Sequence, residues 1–342
     1  MTAAVDSTAS PATLDSARIR RAQRGGIWIL PISVLVVLAL AYAPYAVTEG
    51  HTNTLVNFFI LLVVGVMWNV LAGFAGLVSV GQQAYIGLGA YSVLVLAQHG
   101  LNPFLALPLG ILICAVAAIP VSFVVFRLRG GYFAIGTWVV AEVFYLVTIK
   151  FASLGGGTGA SLPGLNYSAT VLAALTYWAA LAVAVLALLS AYLLLRSRIG
   201  LALTAVRDSE VAAASVGVRV SRAKRIVYAL ASAGAGGAGG LLIISQLNVQ
   251  PSDTVGVYGV KWSAYMLFVV LIGGIGSLEG PILGTIVFFV LQQTLANYGA
   301  WYLIIIGVVA IAMAMFLRRG LWGLVERSGL RLFPVGYWVR EP

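Results

Sequence analysis

The chain has 342 residues, of which 61% are hydrophobic and only 9% are charged. Soluble domains carry roughly 25% charged residues, so a composition this poor in charge excludes a water-soluble globular protein. The single cysteine, Cys114, excludes a disulfide framework. The formal net charge of +10 would suggest nucleic acid as a partner in a soluble protein, but its distribution along the chain favours another explanation.

The first 26 residues form a Ser/Thr/Ala-rich cytoplasmic tail that ends in four arginines. We predict that residues 1–17 are disordered, because they carry too little apolar surface to offset the entropy lost on ordering. The first apolar run, residues 27–47, is too long for a signal-peptide core and lacks a convincing cleavage site. It is therefore predicted to be a retained membrane span.

Further apolar runs follow, and about 20 such residues suffice to cross a bilayer. The sequence predicts an all-α, polytopic bundle of about ten transmembrane segments, some of them broken or re-entrant. The predicted segments are residues 27–47, 54–74, 79–97, 103–126, 131–149, 169–195, 225–246, 262–274, 280–297 and 301–317.

The distribution of positive charge indicates the orientation of these segments. Ten crossings put both termini on one side, and 18 of the 20 Lys and Arg residues lie there, with only Lys150 and Lys261 opposite. Because cytoplasmic loops are enriched in Lys and Arg, we expect both termini of the membrane domain, residues 27–317, to be cytoplasmic. The basic residues then orient the chain and contact anionic lipid headgroups, and nucleic acid is not expected as a partner. The tail, residues 318–342, is expected at the cytoplasmic membrane surface.

Two glycine-rich stretches, residues 73–83 and 273–281, interrupt the apolar pattern. The segment before the second stretch has about 13 residues, near 20 Å of helix, which is short of a bilayer core of roughly 30 Å. Irregular backbone at membrane depth must be packed in protein or line a cavity, and paired interruptions are typical of a transporter's substrate path. Close helix packing through small residues is the alternative, and it is favoured for residues 234–240.

Polar residues at or near these breaks are candidates for the translocation pathway, with helix–helix hydrogen bonding as the alternative. Glu142 is the only acid deep within a predicted span. It either lies near the pathway or is a protonated acid bonded to a neighbouring carbonyl, and the cost of burying it does not separate the two. The predicted pathway residues are Ser79, Gln82, Gln83, Tyr85, Glu142, Gly274, Gly276 and Ser277.

A long cytoplasmic loop, residues 196–224, joins the sixth and seventh segments. It is predicted to hold two short helices, the first at residues 200–207 and the second capped by Asp208 or Ser209 and ended by Gly217. Small apolar side chains recur on the second helix at helical spacing, and such a helix can dock in a groove of a partner. An ordinary solvated loop is the alternative, although loops of this length usually have a role.

No motif for catalysis or metal binding is evident. A phosphate-binding Walker A loop needs Gly-Lys followed by Ser or Thr, and none of the three lysines follows a glycine. The two histidines lie far apart in the sequence and make no metal-ligand motif. The chain is therefore predicted to be neither an ATPase nor another enzyme, and to hold no metal or cofactor.

The cytoplasmic loop resembles the EAA-type coupling loop of ABC importer permeases. Glu210, Ala212, Ala213 and Gly217 match its acid, small residues and terminal glycine, and the spacing from acid to glycine departs by one residue, as in the branched-chain amino acid subgroup. Three glycine-rich stretches, in the family's order, are also similar to that subgroup, closest to its LivM type. These stretches are residues 76–91, 155–159 and 273–284.

The resemblance implies an inner-membrane (plasma-membrane) subunit whose energy comes from other proteins. The implied partners are a second homologous permease subunit, two cytosolic ABC ATPase subunits and an extracytoplasmic solute-binding protein. The coupling-loop residues expected at the ATPase junction are Arg207, Asp208, Glu210, Ala212, Ala213 and Gly217. Lys150 and the loops at 155–165 and 247–261 are expected to meet the solute-binding protein.

The substrate class remains open between branched-chain or other apolar amino acids and urea or short amides, because the glycine motifs do not separate them. A channel or an ion-coupled secondary transporter is a third possibility. It would need several buried acids or ion ligands, and only Glu142 qualifies.

Overall fold

The computed structural model describes residues 19–20, 26–46, 48–295, 298, 301–317, 319–327 and 338–339, and the predicted disorder of residues 1–17 falls outside them. The described part is almost entirely helical, which confirms the all-α prediction. Its helices are α1 (Gly26–Ala46), α2 (Glu49–Asn69), α3 (Gln83–Gln98), α4 (Pro103–Val125), α5 (Gly131–Ile149), α6 (Ala169–Arg196), α7 (Arg198–Asp208), α8 (Glu210–Ser215), α9 (Val220–Gln246), α10 (Lys261–Gly273), α11 (Gly280–Leu295), α12 (Trp301–Phe316) and α13 (Gly320–Arg327).

Two pairs of short antiparallel strands complete the secondary structure of the described part. Strand β1 (Ile19–Arg20) pairs with β4 (Trp338–Val339), close to the two ends of the chain. Strand β2 (Ala160–Ser161) pairs with β3 (Asn248–Val249), so the loop before α6 lies against the loop after α9.

Five helical stretches are long and apolar enough to cross a bilayer, judged by length and composition among the described residues. They are Gly50–Phe74, Pro103–Val125, Gly131–Ile149, Ala169–Arg196 and Val220–Gln246. The stretches Ser33–Tyr45, Lys261–Gly273 and Gly280–Leu295 are apolar but shorter.

Most predicted segments correspond to observed helices within one or two residues. The prediction for 79–97 was wrong at its start, because residues 76–82 are not helical and α3 begins only at Gln83. The segments predicted at 54–74 and 225–246 start earlier, since α2 already begins at Glu49 and α9 at Val220.

Helix α9 lies at the centre of the bundle, packed against α2, α3, α4 and α6. Its stretch 234–240 is regular helix, and its small residues let neighbouring backbones come close. A Cβ atom added to Gly239 would overlap the carbonyl oxygen of Ile86 in α3, and one on Gly236 would meet Cys114 in α4. Close helix packing is therefore the role of this stretch, as expected.

The outer helices expose much of their apolar surface. Helix α2 is buried almost throughout, whereas α4 and α5 leave most of their apolar side chains uncovered. In a soluble protein such a surface would be a large hydrophobic patch, but it fits a helix that borders lipid or another membrane subunit.

Candidate functional site

Both glycine-rich breaks are present as irregular backbone between helices. After α2 the chain makes a π-helical turn, Val70–Phe74, and residues 76–82 then lead to α3 without regular structure. After α10, residues 274–279 form a tight irregular link to α11. We call these segments break 1 (residues 70–82) and break 2 (residues 274–279). The turn at break 2 requires glycine at Gly274 and Gly276, whose φ angles are +128° and +78°.

One buried side chain fastens the two breaks together. Asn69, fully buried at the end of α2, donates from Nδ2 to the carbonyl oxygen of Ser277 at 2.7 Å. Its Oδ1 accepts a hydrogen bond from the Gly276 amide at 2.9 Å. The backbones are in close contact here, since a Cβ on Gly73 would lie 2.6 Å from the Gly276 nitrogen. Two segments separated by about 200 residues in sequence therefore form one unit.

Side chains from three helices satisfy the backbone of break 1. Trp68 in α2 donates from its indole nitrogen to the carbonyl oxygen of Ser79 at 2.7 Å. The hydroxyl of Thr137 in α5 accepts from the Val80 amide at 3.1 Å, and the hydroxyl of Ser263 in α10 donates to the Val80 carbonyl at 2.9 Å. Backbone in a membrane needs such internal partners, so break 1 is held in a defined conformation.

Gln82 and Gln83, predicted pathway residues, lie at the start of α3 and are almost completely buried. The Gln83 Oε1 atom is also within hydrogen-bonding distance of the Ser263 hydroxyl, whose single proton goes either to this atom or to the Val80 carbonyl oxygen. Both polar side-chain atoms of Gln82 and the Nε2 atom of Gln83 make no hydrogen bond within the described part of the chain. An unsatisfied buried amide costs about 1–3 kcal/mol, so these atoms are suited to bind a polar solute.

The other predicted pathway residues divide into two groups. Ser79 and Ser277 belong to the breaks, and the Ser277 hydroxyl accepts from the Gly280 amide at 3.1 Å, at the start of α11. Tyr85 lies one turn into α3, in the core between helices, where its hydroxyl donates to that of Tyr228 in α9 at 3.2 Å. This position allows Tyr85 a purely structural role.

Glu142 lies apart from both breaks. It is half-buried on α5, five residues beyond Thr137 and therefore about 7–8 Å further along the helix. Among the described residues it forms no hydrogen bond and no ion pair, so the alternative of a bond to a neighbouring carbonyl is not observed there.

The loop at residues 196–224 forms two helices, as predicted, with small shifts of their ends. We call residues 198–217, which contain α7 and α8, the elbow. Ser209 is the N-cap of α8, accepting at its hydroxyl from the Ala212 amide at 3.3 Å, and Gly217 follows the helix with a φ of +87°. Ala213 faces the bundle and is buried, whereas Ala212 is exposed.

The acids of the elbow are both paired within the chain. Glu210 forms an ion pair with Lys224 at the start of α9, and Asp208 pairs with Arg207 at 3.1 Å. The side chains of both acids are nevertheless exposed to at least half their extent. The most exposed apolar residues of the elbow are Val211 at 81% and Val216 at 77%.

Arg207 connects the elbow to the breaks. Its Nη1 atom donates to the carbonyl oxygen of Gly73 at 3.0 Å, and a Cβ on Gly276 would lie 3.6 Å from the same Nη1. Gly76, with a φ of +70°, packs against the aliphatic part of this side chain. We call the meeting point of elbow and breaks the junction; it consists of Asn69, Gly73, Arg207, Gly276 and Ser277.

Sequence reasoning missed several residues of this region. Thr137 and Ser263 carry a detectable signal, because each is a polar residue within an apolar helix. The sequence contains no such signal for the hydrogen bond of Trp68 or for the one between Arg207 and Gly73. It does not show which backbone carbonyl an indole binds, or which one an arginine 134 positions away binds. The exposure of Val216 follows from α8 ending before it.

Comparison with known proteins points to transport. Residues 50–314 match the family model described as branched-chain amino acid transport system / permease component. The chain is similar to the high-affinity branched-chain amino acid transport system permease protein LivM of Salmonella typhimurium, with 27% identity over 318 residues, 85% of this chain and 74% of the relative. It is 28% identical over 315 residues to the protein of the same name from Escherichia coli, covering 84% of this chain and 73% of that one. No solved structure gave a significant match.

Proposed function

Since the chain belongs to the family of branched-chain amino acid transport permease components, we propose that it is the membrane subunit of an ATP-driven importer that carries branched-chain or other apolar amino acids across the plasma membrane. As a transport permease it is not an enzyme. The observation that carries the mechanism is the hydrogen bond from Arg207 in the elbow to Gly73 in break 1.

The proposed topology has ten crossings with both termini in the cytoplasm. Three shorter apolar stretches, α3 and α12 supplement the five long ones, and the short helices next to the breaks cross the membrane together with irregular backbone. Seven Lys and Arg residues between 196 and 225 support a cytoplasmic location for the elbow.

The proposed partners are a second permease subunit similar to this one, two cytosolic ATPase subunits and an extracytoplasmic solute-binding protein. The exposed apolar surfaces of α4 and α5 offer area for lipid and for the second permease. The paired strands β2 and β3 bring residues 155–165 and 247–261 together, which supports a single contact surface for the solute-binding protein.

The ATPase contact is proposed at the elbow. Val211 and Val216 extend from α8 far enough to enter a groove, and apolar anchors of this kind dominate the energy of many interfaces. Asp208, Glu210 and Ala212 lie beside them, while Ala213 and Gly217 fix the position and the end of α8. Because Glu210 is paired with Lys224, it also holds α8 against α9.

Arg207 gives a physical route from the ATPase to the pathway. A displacement of α8 moves α7 and with it the Arg207 guanidinium, which is hydrogen-bonded to the carbonyl of Gly73. Gly73 lies next to Asn69, whose side chain is hydrogen-bonded to break 2. A hydrogen bond from a charged donor contributes about 1.5–3 kcal/mol, comparable to the roughly 1–3 kcal/mol that couples two sites in an allosteric protein. One side chain is therefore sufficient for a measurable coupling.

The pathway is proposed to pass the two breaks, with Ser79, Gln82 and Gln83 from break 1 and α3, and Gly274, Gly276 and Ser277 from break 2. The unpaired amides of Gln82 and Gln83 can bind the carboxylate and ammonium groups of an amino acid. Tyr85 and Glu142 complete the proposed set, with more remote positions.

Urea or a short amide is a second candidate substrate, and one observation is equally consistent with it. The buried groups at the start of α3 are neutral amides and hydroxyls, which are as well suited to an uncharged amide as to a zwitterion.

Uptake by the complete importer tests this function. The chain, its partner permease, the ATPases and the solute-binding protein are reconstituted in vesicles and offered radiolabelled leucine, urea and acetamide. We expect ATP-dependent accumulation of leucine, whereas accumulation of urea or acetamide alone would favour the second candidate. Accumulation driven by an ion gradient, by this chain without ATPases, would contradict the proposal.

A further inference from the structure

A groove with a volume of about 580 Å³ lies between the end of α8 and the start of α9. Three arginines line it, at positions 219, 222 and 225, and no acidic residue does. The two ion pairs found among the described residues are Arg207 with Asp208 and Lys224 with Glu210. In the described part of the chain, the charges of the groove arginines are therefore not neutralised by a carboxylate.

The groove begins where a lipid-facing helix surface ends. Four exposed apolar residues of α4 recur at helical spacing and form one outward stripe. The members of this stripe are Leu112, Val116, Ile119 and Phe123. The Arg225 guanidinium lies over the ring of Phe123, 4.8 Å from its centroid. An arginine that covers the last ring of an apolar stripe is at the boundary between hydrocarbon and headgroups.

The spacing of the arginines matches the depth of a headgroup layer. Arg219 and Arg225 are six residues apart at the start of α9, which is about 9 Å along a helix axis. The polar layer of one leaflet is about 5–8 Å thick. Arg225 is thus at the hydrocarbon boundary, and Arg219 is near the aqueous side. The planar guanidinium group binds phosphate oxygens in pairs, which lysine cannot do.

We propose that this groove is a binding site for an anionic phospholipid, with the phosphate held by Arg219, Arg222 and Arg225 and the acyl chains against the α4 stripe. The stripe favours a lipid over other occupants, because a free phosphate ion or an acidic protein surface has no acyl chains to contact these apolar side chains. If the chain has the transport function proposed above, a lipid here also holds the joint between α8 and α9 at the membrane surface, so that uptake depends on anionic lipid.

Lipid binding to the purified full-length chain tests the site without any transport assay. Phosphatidylglycerol, phosphatidylcholine and inorganic phosphate are titrated separately, and binding is measured by native mass spectrometry. The double variant Arg222→Gln with Arg225→Gln removes two groove charges. Arg196→Gln with Arg198→Gln removes the same charge from exposed positions outside the groove and serves as the control.

We expect the wild type and the control to bind phosphatidylglycerol about tenfold or more tightly than phosphatidylcholine, since each basic residue near the surface adds about 1 kcal/mol. The groove variant should lose this preference. Equal phosphatidylglycerol binding by the groove variant and the wild type would overturn the proposal. Competition by inorganic phosphate at the same concentration as the lipid would also overturn it, because the acyl chains would then contribute nothing.

A second measurement separates this site from the transport function. In vesicles of the complete importer, raising the phosphatidylglycerol fraction should stimulate uptake by the wild type but not by the groove variant. If no uptake occurs in any lipid, the proposed function fails while the lipid titration still decides on the site. If the groove variant instead loses its ATPase subunits and keeps its lipid preference, the groove is a protein interface and the proposal is wrong.

Discussion

Glycine-rich stretches in two regions of this chain have opposite structural effects. Residues 234–240 of α9 remain regular α-helix and pack closely against α3 and α4, whereas breaks 1 and 2 depart from α-helical geometry. The difference does not follow from glycine content. It depends on positive φ angles, which occur at Gly76, Gly274 and Gly276 but not in α9 up to Gln246, and on side chains that satisfy the freed backbone.

Glycine therefore serves helix packing in one region and permits irregular backbone in the other, where we propose that the conformational change of transport occurs. In α9 the absence of Cβ atoms allows backbone contact and produces a rigid centre. At the breaks, a few hydrogen bonds from Asn69, Trp68, Thr137 and Ser263 hold backbone that has no ladder of its own. A few such bonds can be exchanged during transport more easily than a packed helix interface can be opened.

The largest expected effect is on the packing region. Gly239→Val places a side chain on the carbonyl of Ile86, so overpacking should destabilise the fold by about 3 kcal/mol. Gly307→Val is the control, since a Cβ there meets no atom within 4 Å. Thermal unfolding in detergent should show a strongly lowered Tm for Gly239→Val alone. Equal Tm values for both variants would contradict the proposed rigid centre.

The next largest effect concerns the hydrogen bonds by which Asn69 links the two breaks. Asn69→Leu leaves the Gly276 amide and the Ser277 carbonyl without their partner, and each lost pairing costs about 1–3 kcal/mol. We expect uptake to fall by about tenfold or more, with insertion and expression preserved.

Asn57→Leu is the matched control for that variant, because Asn57 is exposed on the same helix. Uptake by Asn69→Leu at the level of Asn57→Leu would show that the breaks do not work as one unit.

A smaller effect separates the two roles of Glu210. Glu210→Lys should reduce coupled uptake severalfold by breaking the pair with Lys224, in which Glu210 is half-exposed and Lys224 is largely covered. The stability change should be about 1 kcal/mol. The exchange variant, Glu210→Lys with Lys224→Glu, restores the pair with reversed charges. Recovery of uptake indicates that Glu210 acts within the chain, and persistent loss indicates a contact with the ATPase.

The smallest expected effect is at Glu142, which lies five residues beyond Thr137 on α5 and makes no hydrogen bond to either break. Glu142→Gln keeps the size and removes the charge, and a polar interaction between membrane helices is worth about 0.6 kcal/mol, or roughly a threefold change in uptake. Asn53→Asp, at an exposed position near the start of α2, changes one charge outside the proposed sites and is the control. Unimpaired uptake at normal expression would remove Glu142 from the proposed pathway.

Much of this architecture could be predicted from the sequence, because apolar runs and glycine breaks are local signals. The bounds of α5 agree with the segment predicted at 131–149, and the cap of α8 at Ser209 follows from its hydroxyl. The start of α3 was placed too early, because Val78 and Val80 are apolar without being helical. An apolar stretch can be non-helical when side chains form the hydrogen bonds of its backbone, and apolar character alone does not reveal this.

The junction could be predicted only in part. Asn69, Ser277 and Arg207 are polar or charged residues at positions that the sequence made conspicuous, but which of them meet depends on contacts across about 130 to 210 positions. The residue type of an acceptor does not reveal a hydrogen bond to its backbone, because every residue has the same carbonyl group. The sequence identifies Asp208 and Glu210 as coupling-loop residues, while their pairing with Arg207 and Lys224 needed the three-dimensional arrangement.

The most direct test is the number of ATP molecules hydrolysed per solute imported by the Arg207→Gln variant of the complete importer. Losing a charged hydrogen bond to Gly73 should raise this ratio about tenfold while hydrolysis itself stays near normal. Arg198→Gln on the same helix should leave the ratio unchanged, and Arg207→Lys should restore it partly. A normal ratio in Arg207→Gln would contradict the proposal that this side chain links the elbow to the breaks.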